Sequence, residues 1–402
     1  MTYLRNMELF SNMPKCGRGA NRYVSLLETY QYYLSQYKVA MGSLSQLVPF
    51  PLLRTEKYTA GTIPWRFPSD DPHVPTPTEI SWINLLLRTI PTFKKHAEGD
   101  TSVPDAANKA ETFAQRYARI LEDYKKDPAG QDEPLDIFTL CRIREQILRE
   151  LGFTDIFKNI KDVENTNAMS LFENVVRLND AIEDEEKRLE NLIRGIFAGN
   201  IFDLGASQLA ETFSKDGVSF LATCQNLVPR PWVIDDLETF KMKWSKKSWK
   251  KASVIYHFGY SSICKGAPSA GKSEGQERIV VILAANELPS LNDVTYTELT
   301  EIISKLKGED GCLMGVSTSN LVVANSGNDL PIIDLTGVPQ ELACLAKDVD
   351  LVILEGMGRG IESNLYAQFT CDSLNIAMVK HREVAEFLGA RLYDCVIKYN
   401  AV

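Results

Sequence analysis

No C-x-x-C pair occurs anywhere in these 402 residues, and the four histidines are widely separated. Zinc centres are built from closely spaced thiols and imidazoles, so the pattern argues against one. The eight cysteines (Cys16, Cys141, Cys224, Cys264, Cys312, Cys344, Cys371, Cys395) are too scattered for a disulfide framework. Free thiols imply a reducing compartment, and a cytoplasmic protein is expected. No apolar run approaches the ~18 residues of a membrane span, and a secretory signal pattern is absent. Basic residues are outnumbered, 44 Lys and Arg against 53 Asp and Glu, for a net charge of -9. Such a surface repels nucleic acid and anionic membrane, which leaves a small molecule as the expected partner and the oligomeric state open.

What is present is ample core material, 44% hydrophobic, arranged in two textures. Residues 1–46 read as an N-terminal extension, with Met41-Gly42-Ser43 as an alternative start. Residues 47–80 carry Pro49, Pro51, Pro64, Pro68, Pro72, Pro75 and Pro77, which predicts a segment wrapping over a surface. A helical part follows to residue 245. Helices are predicted over Ala106 to Lys125, with Asp105 as cap, and over Ile137 to Leu151, ended by Gly152. Val175, Leu178, Ile182, Leu189, Leu192, Ile193 and Ile196 recur at helical spacing, so the charges Glu183 to Lys187 read as a solvated helix face.

After Trp249, short apolar runs alternate with helical stretches. The runs are Ile279 to Ala285, Leu321 to Ala324, Leu351 to Leu354, Ile376 to Val379 and Tyr393 to Ile397, with helices at Tyr296 to Leu306 and Arg382 to Leu388. Near-continuous apolar strands separated by helices indicate a parallel sheet covered on both faces. The predicted architecture is a helical domain (47–245) followed by a doubly wound, mainly parallel, Rossmann-like α/β domain (246–402).

Four strands run into polar or glycine-rich tails: Asn286 to Asp293, Asn325 to Asp329, Glu355 to Gly360, and Lys380-His381. Ligands of open α/β sheets bind outside the carboxyl ends of the strands, so these tails are expected to converge on one crevice. Asp293 offers carboxylate oxygen to a hard cation, and Arg359 and Lys380 can neutralise phosphoryl oxygens. Gly356, Gly358 and Gly360 let backbone amides approach an anion. Gly199 to Gly205 interrupts a helix end with Asn200 and Asp203; a helix stop is the plain reading and a substrate contact the other.

With these motifs in hand, the chain from about Val48 to Val402 resembles the DUF89 family, specifically the subfamily with a Glu-Gly-Met-Gly-Arg motif, here Glu355 to Arg359. Ala198 to Gly205, Leu227 to Trp232 and Leu288 to Thr295 carry the same resemblance. It implies a damage-control phosphatase that is divalent-metal-dependent (manganese, magnesium, nickel or cobalt) and acts on small phosphorylated metabolites, with 4′-phosphopantetheine or its oxidised forms as a substrate class. It also implies that Asp293 is one of three metal ligands, and that Asn200, Asp203, Asn325, Arg359 and Lys380, with Glu355, Gly356, Met357 and Gly358 of the motif, form the substrate site.

One stretch departs from that pattern. The family has Val-Asp-Asn-Ser-Gly at the end of the first strand, supplying the other two ligands, whereas residues 253–278 contain no Asp or Asn. Gly266 to Ser273 instead matches the P-loop pattern G-x-x-x-x-G-K-[ST]. A P-loop needs a buried strand before it and a helix after it, and only five residues separate Ser273 from Ile279. The family's first helix commonly reads Phe-Ala-Arg-Glu-Leu-Leu-Arg-Arg-Gly. One coding of that peptide, read from its third base, gives Cys-Lys-Gly-Ala-Pro-Ser-Ala, which is Cys264 to Ala270 here. The segment therefore reads as a frame-shifted translation and the P-loop match as an accident, with loss of the first strand and helix and impaired activity as the expected consequences. A P-loop nucleotide-binding protein or kinase, and a non-catalytic binding protein, are the alternatives.

Overall fold

The computed structural model describes residues 46–131, 135–201, 227–246, 251–255, 280–308, 312–313 and 316–402. After a two-residue strand β1 (Leu47–Val48), turns occupy most of the proline-rich stretch, but its end is helical. Helix α1 (Pro77–Glu98) starts inside it, with Pro77 in the first turn, where its missing N–H costs nothing. Thr76 Oγ1 accepts from Glu79 N at 3.1 Å and Thr76 N donates to Glu79 Oε2 at 2.8 Å, a reciprocal cap. Helix α2 (Ala106–Lys126) forms as predicted, but Asp105 does not cap it through its side chain. Its backbone is left-handed (φ 58°) and its carboxylate accepts from the Asn108 side-chain amide instead. Helix α3 (Ile137–Glu150) is capped by Asp136 and followed by Gly152 at φ +91°.

The continuous helical pattern through Ile182 is in fact two helices, α4 (Lys158–Asp180) and α5 (Glu185–Ile201). The charge run lies at the break and is solvent-exposed. Asp184 accepts from the N–H groups of Glu186 and Lys187, so one of those charges starts α5. Strand β2 (Ile234–Asp235) and helix α6 (Leu237–Ser245) lead to the sheet.

The sheet strands are β3 (Lys251–Ile255), β4 (Val280–Ala285), β7 (Leu321–Asn325), β9 (Leu351–Glu355), β10 (Asp372–Met378) and β11 (Cys395–Asn400), joined by β2. Two small pairs lie outside it: β5 (Cys312–Leu313) with β6 (Val316–Ser317), and β1 with β8 (Val338–Pro339). The seven strands run in the order β2-β11-β10-β9-β3-β4-β7, all parallel to their neighbours except β10 and β11. The expected loss of the first strand is thus corrected: β3 pairs on both sides, Ser253 opposite Ile282 and Val352. Backbone ladders do not depend on side-chain identity, and Ala252, Val254 and Ile255 suit a central strand.

Helices α7 (Tyr296–Leu306), α8 (Gln340–Ala346) and α9 (Arg382–Leu388) complete the described α-helices. Along β4, Ile282 and Ala284 pack with α8, while Leu283 and Ala285 pack with α4 and α7, so the strand is buried on both faces. A third cluster joins α1, α2 and α3 to Met357, Ile361 and Val379 beyond the strand ends. The helices therefore share apolar cores with the sheet, and Gln46–Val402 is one compact unit. Strand order reverses around β3, whose neighbours lead outward to β4 and β7 on one side and to β9 and β10 on the other. In open α/β sheets such a switch point is where ligands bind.

Candidate functional site at the strand ends

Three of the four polar tails meet in one hydrogen-bonded network. Arg359 Nη2 lies 2.6 Å from Asp293 Oδ2 and 2.9 Å from Asn286 Oδ1. Both ion-pair side chains are only 1% exposed. Asn328 donates to Asn286 Oδ1 at 3.0 Å and to the carbonyls of Leu330 and Ile332. Arg359 departs from beyond β9 yet reaches the tail of β4, and β3 lies between them. Adjacent strands sit ~4.8 Å apart, so the guanidinium spans roughly two strand spacings across the end of β3.

Arg359 can do this because its backbone is held. Gly356 adopts φ 95°, closed to most side chains, and the chain then makes a π-helical turn, Met357–Ser363. A Cβ on Gly358 would lie 2.3 Å from Pro331 O, so that glycine serves a close backbone approach rather than an exposed anion cradle. Carbonyls of the turn are satisfied by side chains: Asn364 donates to Arg359 O at 3.0 Å, Ser363 to Gly358 O at 2.7 Å, and Asn375 to Gly360 O at 2.8 Å. Glu355, the last residue of β9, is buried.

The fourth tail joins through the same turn. Lys380 N donates to Met357 Sδ at 3.1 Å, and His381 Nδ1 lies 3.0 Å from Glu362 Oε1. Lys380 is itself largely buried. Asn325 does something local: its Oδ1 accepts from Gly327 N at 2.8 Å, closing a turn with Gly327 at φ +68°. Asn200 lies in the last turn of α5, and Asp203 lies outside the described residues, as does Gly266 to Ser273.

Sequence reasoning passed over Asn286 and Asn328 as individuals, and missed the support that α4 gives. Lys161, fully buried, pairs with Asp155 at 2.6 Å and Glu298 at 3.0 Å. Glu298 in turn caps Thr295 at the start of α7, two residues beyond Asp293. One turn along α4, Glu164 accepts from the Asn292 amide at 3.2 Å. Burial pushes Asp155 above the usual carboxylate range, with Lys161 opposing the shift. The described cysteines are free thiols, and burial raises Cys141 to about 11, far from a reactive thiolate.

A buried Arg-Asp pair with side-chain amides at the switch point of a doubly wound sheet defines an α/β protein of the architecture that binds ligands outside the carboxyl ends of its strands. The family model for the damage-control phosphatase ARMT1-like domain matches residues 85–257 and 273–396. The chain belongs to that family. The match lapses over 258–272, which takes in most of the P-loop-like octapeptide. The chain is 64% identical over 365 residues to damage-control phosphatase At2g17340 of Arabidopsis thaliana, covering 90% of this chain and 100% of the relative. It is 27% identical to the 4′-phosphopantetheine phosphatase of Mus musculus, covering 74% of this chain and 42% of the relative. Pantothenate kinase 2 of Arabidopsis thaliana is 31% identical, covering 79% of this chain and 39% of that longer protein. A solved DUF89 family protein from Pyrococcus horikoshii shares the fold, with a TM-score of 0.52 at 15% identity, covering 82% of this chain and 99% of that one.

Proposed function

We propose that this chain is a phosphatase for small phosphorylated metabolites, damaged forms of 4′-phosphopantetheine among them, and that residues 253–278 impair it as written. The supporting observation is the buried network of Arg359, Asp293 and Asn286 at the switch point of the sheet. Arg359 and Lys380 supply the positive charge that a phosphoryl group and its transition state require. Glu355 to Gly358 fix the backbone from which Arg359 projects. Asn325, Asn200 and Asp203 remain assigned to the substrate rim.

A divalent cation is the cofactor that family resemblance implies, and the described side chains do not fit one by themselves. Among the described residues no three His, Cys, Asp or Glu side chains gather, and Asp293 is paired with Arg359. Hard divalent ions want about six oxygens, and the stretch after β3 offers no Asp or Asn to add. The impairment reading rests on that deficit and on the lapse in the family match over 258–272. Among the described residues no helix is long and apolar enough to cross a membrane. A reducing, cytoplasmic setting suits the free thiols.

The test is phosphate release from p-nitrophenyl phosphate and from 4′-phosphopantetheine, with manganese or magnesium added. It compares this chain with one in which residues 256–260 are replaced by Val-Asp-Asn-Ser-Gly, each with and without Asp293→Asn. Metal-stimulated hydrolysis that rises on replacement and vanishes in Asp293→Asn is expected. Hydrolysis indifferent to Asp293 overturns the reading. Sequencing the transcript tests the frame-shift account, and an intact frame encoding 253–278 as written removes it.

A further inference from the structure

We infer that His381, oriented by Glu362, is the catalytic proton donor to the leaving-group oxygen of the phosphate ester. The inference rests on the phosphatase reading and concerns a residue outside the Arg359 network. Among the described histidines, His73 is exposed and pairs with Asp127, and His96 lies against Phe157. His381 differs in place and in partner. It stands just past the carboxyl end of β10, next to Lys380, on the strand-end side of the sheet. Its Nδ1 is 3.0 Å from a carboxylate whose side chain is 9% exposed, while its own side chain is 24% exposed.

That geometry assigns the two ring nitrogens. Glu362 accepts from Nδ1–H, which leaves Nε2 outside that hydrogen bond, and in the imidazolium form Nε2 carries the transferable proton. The edge of Trp82 packs against the ring at 6.1 Å between centroids, and Trp82 stacks on Trp65, so the imidazole is held from a second side. Glu362 sits three residues beyond Arg359 on the π-helical turn. One rigid turn thus holds both the guanidinium and the carboxylate that aims the imidazole. The charged groups around the ring are Glu362 from the turn, Lys380 and Arg382 beside it in the chain, and Glu383. Glu383 is tied to Ser81 and Arg88 of α1, and the buried Cys141 thiol of α3 lies near Glu362.

An alkyl phosphate leaves as an alkoxide, a poor leaving group that needs a proton as the bond breaks. In the proposed step the P–O ester bond breaks and its electron pair stays on the ester oxygen, which takes the proton from Nε2. Water supplies the hydroxyl that joins phosphorus, and its released proton returns to the imidazole. The products are the alcohol and inorganic phosphate, with the histidine restored.

The first measurement needs no turnover: calorimetric binding of inorganic phosphate to the full chain at pH 6.0 and pH 8.5, for the parent, His381→Gln and Glu362→Gln. A lost charge-assisted hydrogen bond predicts a Kd about tenfold higher for His381→Gln at pH 6.0 and within about twofold at pH 8.5. Glu362→Gln is expected to lose part of the same difference. An equal effect at both pH values, no effect at either, or a parent that binds no phosphate overturns the inference, and thermal unfolding checks that each variant is folded. The second measurement is hydrolysis by the chain with 256–260 replaced. His381→Gln is expected to slow an alkyl phosphate about 100-fold and p-nitrophenyl phosphate, whose leaving group needs no proton, less than about fivefold. Equal slowing of both esters removes the proton-donor role. Phosphate binding as expected, without hydrolysis of any ester by the parent or the replaced chain, sinks the phosphatase reading while His381 stands as a phosphate contact.

Discussion

Removing the Arg359 guanidinium while leaving Asp293 in place should be among the most damaging single changes available in the sheet region. Both side chains are 1% exposed and separated by 2.6 Å, so water cannot replace either partner. Breaking a buried ion pair by truncating one member typically costs about 3–5 kcal/mol, because the survivor is a buried charge without its counter-ion. Arg359→Met is expected to fall in that range, since Asn286 Nδ2, 3.5 Å from the carboxylate, is too distant to replace the 2.6 Å guanidinium contact. Asp293→Asn should cost less, about 2–3 kcal/mol, because Arg359 keeps Asn286 Oδ1 and the Leu330 carbonyl. The double variant buries no net charge and should recover about 2–3 kcal/mol relative to the sum of the singles. Urea unfolding followed by tryptophan fluorescence measures all three, with an unchanged m-value as the sign that the unfolded state is not the cause. Single-variant costs below about 1 kcal/mol, or additivity within about 0.5 kcal/mol, would refute the claim that this pair braces the strand ends.

Gly358→Ala should displace the π-helical turn, because its Cβ meets the Pro331 carbonyl at 2.3 Å and Ile332 Cγ2 at 3.3 Å. A loss of about 1–3 kcal/mol by urea unfolding is expected, and phosphate binding should weaken with it. Lys161→Met strands Asp155 and Glu298 together, so a cost of about 3–5 kcal/mol is expected, with hydrogen exchange rising first in residues 286–298. His96 is held below the ordinary histidine range, first by burial and then by Lys95. A depressed histidine favours the neutral fold, so its contribution is present above the unfolded value and lost as pH falls through the folded one. Melting temperature should therefore drop on acidification below about pH 6.5, and less so in His96→Phe.

Strands β4, β7 and β9 were legible because each is a short run dominated by Val, Ile, Leu and Ala, a near-continuous apolar pattern without alternation, whereas β2 was not anticipated and β3 was expected to be lost. Ile376 to Val379 was placed late because β10 begins with Asp372, Ser373 and includes Asn375, polar residues whose partners are distant in sequence. Asp372 is met by Tyr399 at 2.8 Å and Asn375 by Gly360. The break between α4 and α5 was invisible for a related reason. Ile182 keeps the helical spacing, and the decisive event is a local one, Asp184 capping the next helix. At the site, Arg359 and Asp293 stood out by chemistry, but Asn286 and Asn328 look like ordinary turn residues. Only the topology, which brings the tails of β4, β7 and β9 together across β3, turns them into a network.

Strand β3 separates fold from chemistry in this chain. Its five residues pair with β4 and β9 through the backbone, so the residues after Ile255 can change while the ladder persists. Arg359 crosses that same strand end to reach Asp293. A chain with 256–260 replaced by Val-Asp-Asn-Ser-Gly adds two oxygen-bearing side chains to the sequence that follows β3. Hydrogen exchange of Ala252 to Ile255 should then remain as slow as in the parent, since no ladder bond is altered. Melting temperature should become dependent on added manganese, because an ion that binds only the folded state stabilises it by mass action. About 100-fold excess over the dissociation constant corresponds to about 2.7 kcal/mol. Manganese-dependent stabilisation of the parent equal to that of the replaced chain would show that Asp293 and its neighbours suffice, and that the stretch after β3 is not what limits the site.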